Sequence, residues 1–78
     1  LGLAYYKKGL YGNALIEFLD GVKKMPDHPV VNYHLGLAYH KKGERKPAMD
    51  ALKKALELSD TFDGADHARQ LLSELENG

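Results

Sequence analysis

Seventy-eight residues with 44% apolar content make one small globular domain, too apolar for a disordered chain. The absence of cysteine excludes disulfides, thiolate metal sites and a cysteine nucleophile together. Eleven Lys and Arg balance eleven Asp and Glu, so no net field draws in nucleic acid or an anionic membrane.

The balance is uneven along the chain. Residues 1–58 hold ten Lys and Arg against six acids, and residues 59–78 hold one Arg against five. The plainest reading of the second segment is a helix with an acidic solvated face. The longest uncharged run, Pro29–His40, is too short to span a bilayer. No basic stretch leads into an apolar one, so no signal peptide is visible. The chain begins at Leu1 rather than Met and reads as a piece of something longer. The compartment stays open, with the cytoplasm favoured.

Leu1–Lys8 reads as a first helix closed by Gly9, with Lys7 and Lys8 at the negative end of its dipole. Residues 9–12 read as a tight turn, with Gly12 or Asn13 capping a second helix that runs to about Lys24. Ala14, Leu15, Phe18 and Val22 supply its inner face. Two prolines in residues 25–29 enforce a loop. Pro29 or Val30 opens a third helix, which runs to Lys42 and ends at Gly43. Residues 44–46 read as a turn, and Pro47 sits in the first turn of a fourth helix reaching Leu58. That helix turns Ala48, Leu52, Ala55 and Leu56 inward, and Asp50–Lys54 makes an i,i+4 pair outside. After a loop at 59–63, residues 64–76 read as a fifth helix with Ala65, Ala68, Leu71, Leu72 and Leu75 on one stripe. No segment reads as a strand.

Leu1–Gly9 recurs almost unchanged as Leu35–Gly43, differing only at Tyr6 against His40. A period of 34 residues is the mark of a stacked-repeat architecture. Leu35-Gly36, Tyr39, Ala48, Leu52 and Ala55 in the second unit resemble the signature of the tetratricopeptide repeat, as do Leu1-Gly2, Tyr5, Ala14, Phe18 and Pro26 in the first. Gly2 and Gly36 let the second helix of each pair approach closely, Tyr5 and Tyr39 fill the space between pairs, and Ala14 and Ala48 sit at the crossings. Departures are Asn32 in place of a large apolar residue, Gly21 in place of Ala and Asp60 in place of Pro. The resemblance implies an all-α right-handed α-solenoid stack of antiparallel helix pairs, about five helices in one domain. Its parts are a first repeat at 1–28, truncated at its start, a second at 29–62, and a capping helix at 63–78.

The third helix carries two apolar stripes. Val31, Leu35, Ala38 and Tyr39 form one; Val30, Tyr33, His34, Leu37, His40 and Lys41 form the other, with Leu3, Tyr6 and Lys7 as first-helix equivalents. In proteins that the sequence resembles, this second stripe lines a concave groove holding an extended or helical peptide of a partner protein. The alternative is that these residues pack against neighbouring repeats. One subset of the family grips the C-terminal carboxylate of chaperone tails with Lys, Asn and Arg. Where that clamp would fall, this chain has Leu3, His34, Gly64 and Ala68, which implies no such binding.

His34 and His40 are six apart and miss the i,i+4 spacing of a chelating pair, so no metal or other cofactor is expected. No hydroxyl lies in a nucleophile motif and no Gly-rich phosphate loop occurs, so the chain does not read as an enzyme. Lysine doublets at 7–8, 41–42 and 53–54 leave an RNA-binding repeat, or a purely structural segment of a longer array, as alternatives. Finally, Leu1, Leu3, Tyr5 and Tyr6 lack an upstream partner, and self-association through that edge is expected.

Overall fold

The computed structural model describes residues 1–78. Its elements are α1 (Gly2–Lys7), α2 (Tyr11–Lys24), α3 (Pro29–Lys41), α4 (Arg45–Leu58) and α5 (Ala65–Asn77), and no strand is present. Each helix packs chiefly on the next in the chain. This all-helical architecture is consistent with a helical-repeat fold.

α1 and α3 end in the same way. Gly9 (φ +81°) and Gly43 (φ +78°) take the left-handed conformation. Leu10 N–H then donates to Tyr5 O and Gly9 N–H to Tyr6 O, at 2.9 and 3.0 Å. Glu44 donates to Tyr39 O and Gly43 to His40 O at the same distances. This closure satisfies the orphan carbonyls within two residues of the helix end. The chain is therefore free to restart at once, and α2 begins at Tyr11 rather than at Gly12 or Asn13. For the same reason α4 begins at Arg45, inside the expected turn at 44–46.

Within each pair the helices cross on a glycine. A Cβ on Gly2 would lie 2.5 Å from the Phe18 ring, and one on Gly36 would lie 2.8 Å from Leu52 Cδ2. Both members of the contact shift by one period, so the two pairs share a packing device. Ala14, Ala48 and Leu52 are fully buried beside these crossings.

Two apolar clusters follow. Ala14, Phe18, Leu35, Ala38 and Ala51 join the first pair to the second, with Tyr5, Tyr6 and Tyr39 packed against them. Tyr5 and Tyr6 are half-buried, packed against residues that follow them in the chain. Leu1 and Leu3 stand free, at 77% and 44% exposure. The second cluster, Leu52, Ala68 and Leu71, seats α5 on the second pair.

Asn32 is buried at 4% exposure, a polar residue at an apolar place of the repeat. Its amide nitrogen donates to Pro26 O (3.0 Å) and His28 O (2.9 Å), stitching the α2–α3 loop to α3. His28 belongs to the helix start rather than to the loop alone, since its Nδ1 accepts from Val31 N–H at 3.4 Å. Asp50 does not pair with Lys54; that lysine turns across to Asp27 in the α2–α3 loop, 3.9 Å away.

α5 is tied down at both ends. Near its start the Tyr33 hydroxyl and His67 Nδ1 lie 2.6 Å apart. Near its end the Arg45 guanidinium donates to Leu75 O, from Nε at 2.7 Å and also from Nη2. A cation at the last carbonyls of a helix is favourable. At the register places where α3 has Leu35, Gly36 and Tyr39, α5 has Arg69, Gln70 and Ser73, all exposed.

Candidate functional site

The stripe of residues expected to line a groove divides into two parts. Tyr33 and Leu37 pack against the cluster that seats α5. Around Tyr33 lie the rings of Phe62 (5.6 Å), His67 (5.9 Å) and His34 (5.7 Å), and a Cβ on Gly64 would touch its ring at 2.5 Å. This flank is closed by the chain itself.

The other part is open. Lys7, His40 and Lys41 are exposed along with Leu3, while Tyr6 and Val30 are half-buried. Leu3, Tyr6 and Lys7 lie three and four apart and so share a face of α1. Tyr6 meets the edge of Tyr11 at 5.3 Å, and the Lys41 ammonium lies 5.9 Å over the Tyr11 ring. Cation and ring at that distance attract one another. The result is a surface of two tyrosines and Leu3, rimmed by Lys7 and Lys41.

His34 sits between the two parts, its ring 5.4 Å from Phe18. Burial first, and then the nearby His28, hold its pKa below the ordinary imidazole value. Burial pushes the Tyr6 phenol up, aided by Tyr11 and Tyr33, and pushes Tyr33 up, aided by Asp63. These tyrosines are hydrogen-bonding and apolar groups at neutral pH, with no tendency toward phenolate chemistry.

Elsewhere the surface offers two features that spacing did not single out. A cavity of about 450 Å³ lies beside the α4–α5 loop, bordered by Asp60, Phe62, Asp63 and Asp66. Arg69 lies in its lining, pairing with the Asp66 carboxylate and donating to the Asp60 backbone carbonyl at 3.2 Å. On α2, Ile16 and Leu19 are exposed at 67% and 42%, where α4 has Asp50 and Lys53 one period later. An internal comparison of the two repeat units is the signal that finds them. No three His, Asp or Glu side chains converge as metal ligands, and no helix is long and apolar enough to cross a membrane.

The family model described as the tetratricopeptide repeat matches residues 30–62, which spans α3, α4 and the start of the next loop. No curated protein matches the chain. Tetratricopeptide repeats in general mediate protein–protein interaction and are generally non-enzymatic scaffolds. The match falls on the helix pair crossed at Gly36 and Leu52, within a fold of five helices and no strand. Residues 30–62 thus match one tetratricopeptide repeat, within an all-helical chain consistent with a helical-repeat fold.

Proposed function

We propose that the chain is a non-catalytic interaction module that holds a peptide or helix of a partner protein across the face formed by α1 and α3. One observation carries this reading. Lys41 rests over the Tyr11 ring, which meets the edge of half-buried Tyr6, and Leu3, Lys7 and His40 are exposed on the same two helices, α1 and α3. Aromatic anchors within a charged rim are the usual energetic centre of a protein interface. On the same reading residues 1–28 are a second copy of the repeat, supported by the shared glycine crossing. Residues 63–78 are its cap, supported by exposed Arg69, Gln70 and Ser73, which offer no apolar surface to a following helix.

Leu37→Glu is a poor test, because Leu37 packs against the α5 cluster and its loss disturbs the fold. Leu3→Glu alters an exposed side chain instead. Binding of peptides selected on the wild-type protein should vanish in Leu3→Glu and fall steeply in Tyr6→Ala, with helicity by circular dichroism unchanged. Binding that survives both changes places the partner on the outer face of α2 or on the loops.

A further inference from the structure

We infer that the partner segment is acidic, with two or more carboxylates beside a large apolar side chain; this rests on the α1–α3 face being a binding face. α1 and α3 contain no Asp or Glu, and Lys7, Lys8, Lys41 and Lys42 crowd their C-terminal ends. The ion pairs of the molecule belong to Lys24, Lys53, Lys54 and Arg69, so these four lysines have no carboxylate partner. The helix ends they sit on offset about half a charge each, against two lysines per end. An uncompensated positive patch therefore persists in a chain whose net charge is zero.

The patch is built rather than scattered. Lys41 rests over the Tyr11 ring, which in turn meets the edge of Tyr6, so one cation is held in place beside apolar surface. A carboxylate at Lys41 would bring its neighbouring side chain onto Tyr6 and Leu3. Holding the cation before binding lowers the ordering cost of the contact.

The same row of helix ends argues against a nucleic acid. At the places in α5 equivalent to His40 and Lys42 stand Glu74 and Glu76. A phosphate backbone running along the row would meet these carboxylates. A short acidic segment over α1 and α3 alone avoids them, and a basic residue further along would meet them favourably. This is recognition of internal carboxylates beside an apolar anchor, not of a chain-terminal carboxylate.

The test is selection of random short peptides displayed on phage against the immobilised protein, followed by fluorescence anisotropy of the selected peptides. Enrichment of Asp and Glu next to Leu, Ile, Phe or Trp is expected. Affinity should fall at least about tenfold in the Lys7→Glu/Lys41→Glu double variant, and fall again as salt rises from ~50 to ~500 mM. All four lysines are exposed, so an unchanged melting curve for the variant serves as the folding control. Selection of neutral or basic peptides, or no enrichment, overturns the inference, as does tighter binding of a random single-stranded RNA of similar length. Neutral peptides lost in Leu3→Glu but kept in the lysine variant would sink the acidic partner and leave the face standing. Acidic peptides unaffected by Leu3→Glu would sink the face reading itself.

Discussion

Tyr33 and His67 occupy the same place in successive 34-residue periods, and their side chains touch, hydroxyl to Nδ1 at 2.6 Å. The contact locks α5 onto α3 in phase with the repeat. It also closes one flank of the stripe that spacing alone assigns to a groove, leaving the α1–α3 seam as the open one.

Two variants separate the bond from the packing around it. Tyr33→Phe keeps the ring and removes the hydroxyl; because the pair is exposed, the cost should sit at the low end of roughly 0.5–1.5 kcal/mol. Gly64→Ala adds a Cβ that meets the Tyr33 ring and must hold φ near +105°, so it should cost roughly 1–3 kcal/mol. Urea titrations read both. A Gly64→Ala variant as stable as wild type would mean that α5 is not seated as described.

The glycine crossings make a contrast within one chain. Gly36→Ala drives a methyl into Leu52 and towards Ala48 O at 3.3 Å, and should cost roughly 1–3 kcal/mol. Gly12→Ala meets nothing nearer than the tip of Lys42 at 3.9 Å, and should be neutral or stabilise by up to ~1 kcal/mol. Leu52→Ala, at the only large side chain that is fully buried, should cost roughly 2–5 kcal/mol and exceed Tyr39→Ala, which truncates a half-buried ring. Thermal melts that rank these variants otherwise would show the helix crossings to be misassigned.

Asn32 illustrates what the amino-acid string conceals. As a letter it is a departure from the repeat signature, an amide where an apolar side chain is usual. In the fold it is buried, and both of its hydrogen bonds go to loop carbonyls. Asn32→Leu matches the signature better, yet it strands the Pro26 carbonyl, while His28 O keeps the Asn32 backbone N–H, and it should destabilise by about 1–3 kcal/mol. A gain in stability on that change would show the Pro26 carbonyl to be satisfied by water.

Helix positions, the two glycine closures and the glycine crossings are legible in the sequence because each depends on residues within one period of each other. The second copy of Leu-Gly-Leu-Ala-Tyr makes the register plain. What escapes is decided across elements. Nothing local says that Lys54 prefers Asp27 to Asp50, or that α5 covers Tyr33 and Leu37 while leaving Leu3 and Lys41 open. The early starts of α2 and α4 escape for a different reason: Leu10 and Glu44 are N-caps that make no side-chain capping bond, so no capping signature marks them.

His34 gives the chain an acid sensitivity with a defined sign. Its pKa in the folded state is lowered by burial and by His28, so the unfolded chain takes up the proton first as pH falls. The stability that His34 contributes is whole above the ordinary imidazole value and is lost as pH drops toward the lowered one. His34→Gln should therefore shrink the difference in unfolding free energy between pH ~7 and pH ~5, the contribution of the acids being common to both proteins. An unchanged difference would mean that His34 is hydrated in the fold.

The central claim is that partners bind on the α1–α3 face. The most direct measurement is the change in backbone amide shifts when a peptide selected on the protein is titrated in. The largest changes should fall at Leu3, Tyr6 and Lys7 and at His40 and Lys41, with Ile16, Leu19 and Asp50 on the opposite faces of α2 and α4 unmoved. Changes centred instead on Ile16 and Leu19, or on residues 60–66 beside the α4–α5 loop, would contradict it.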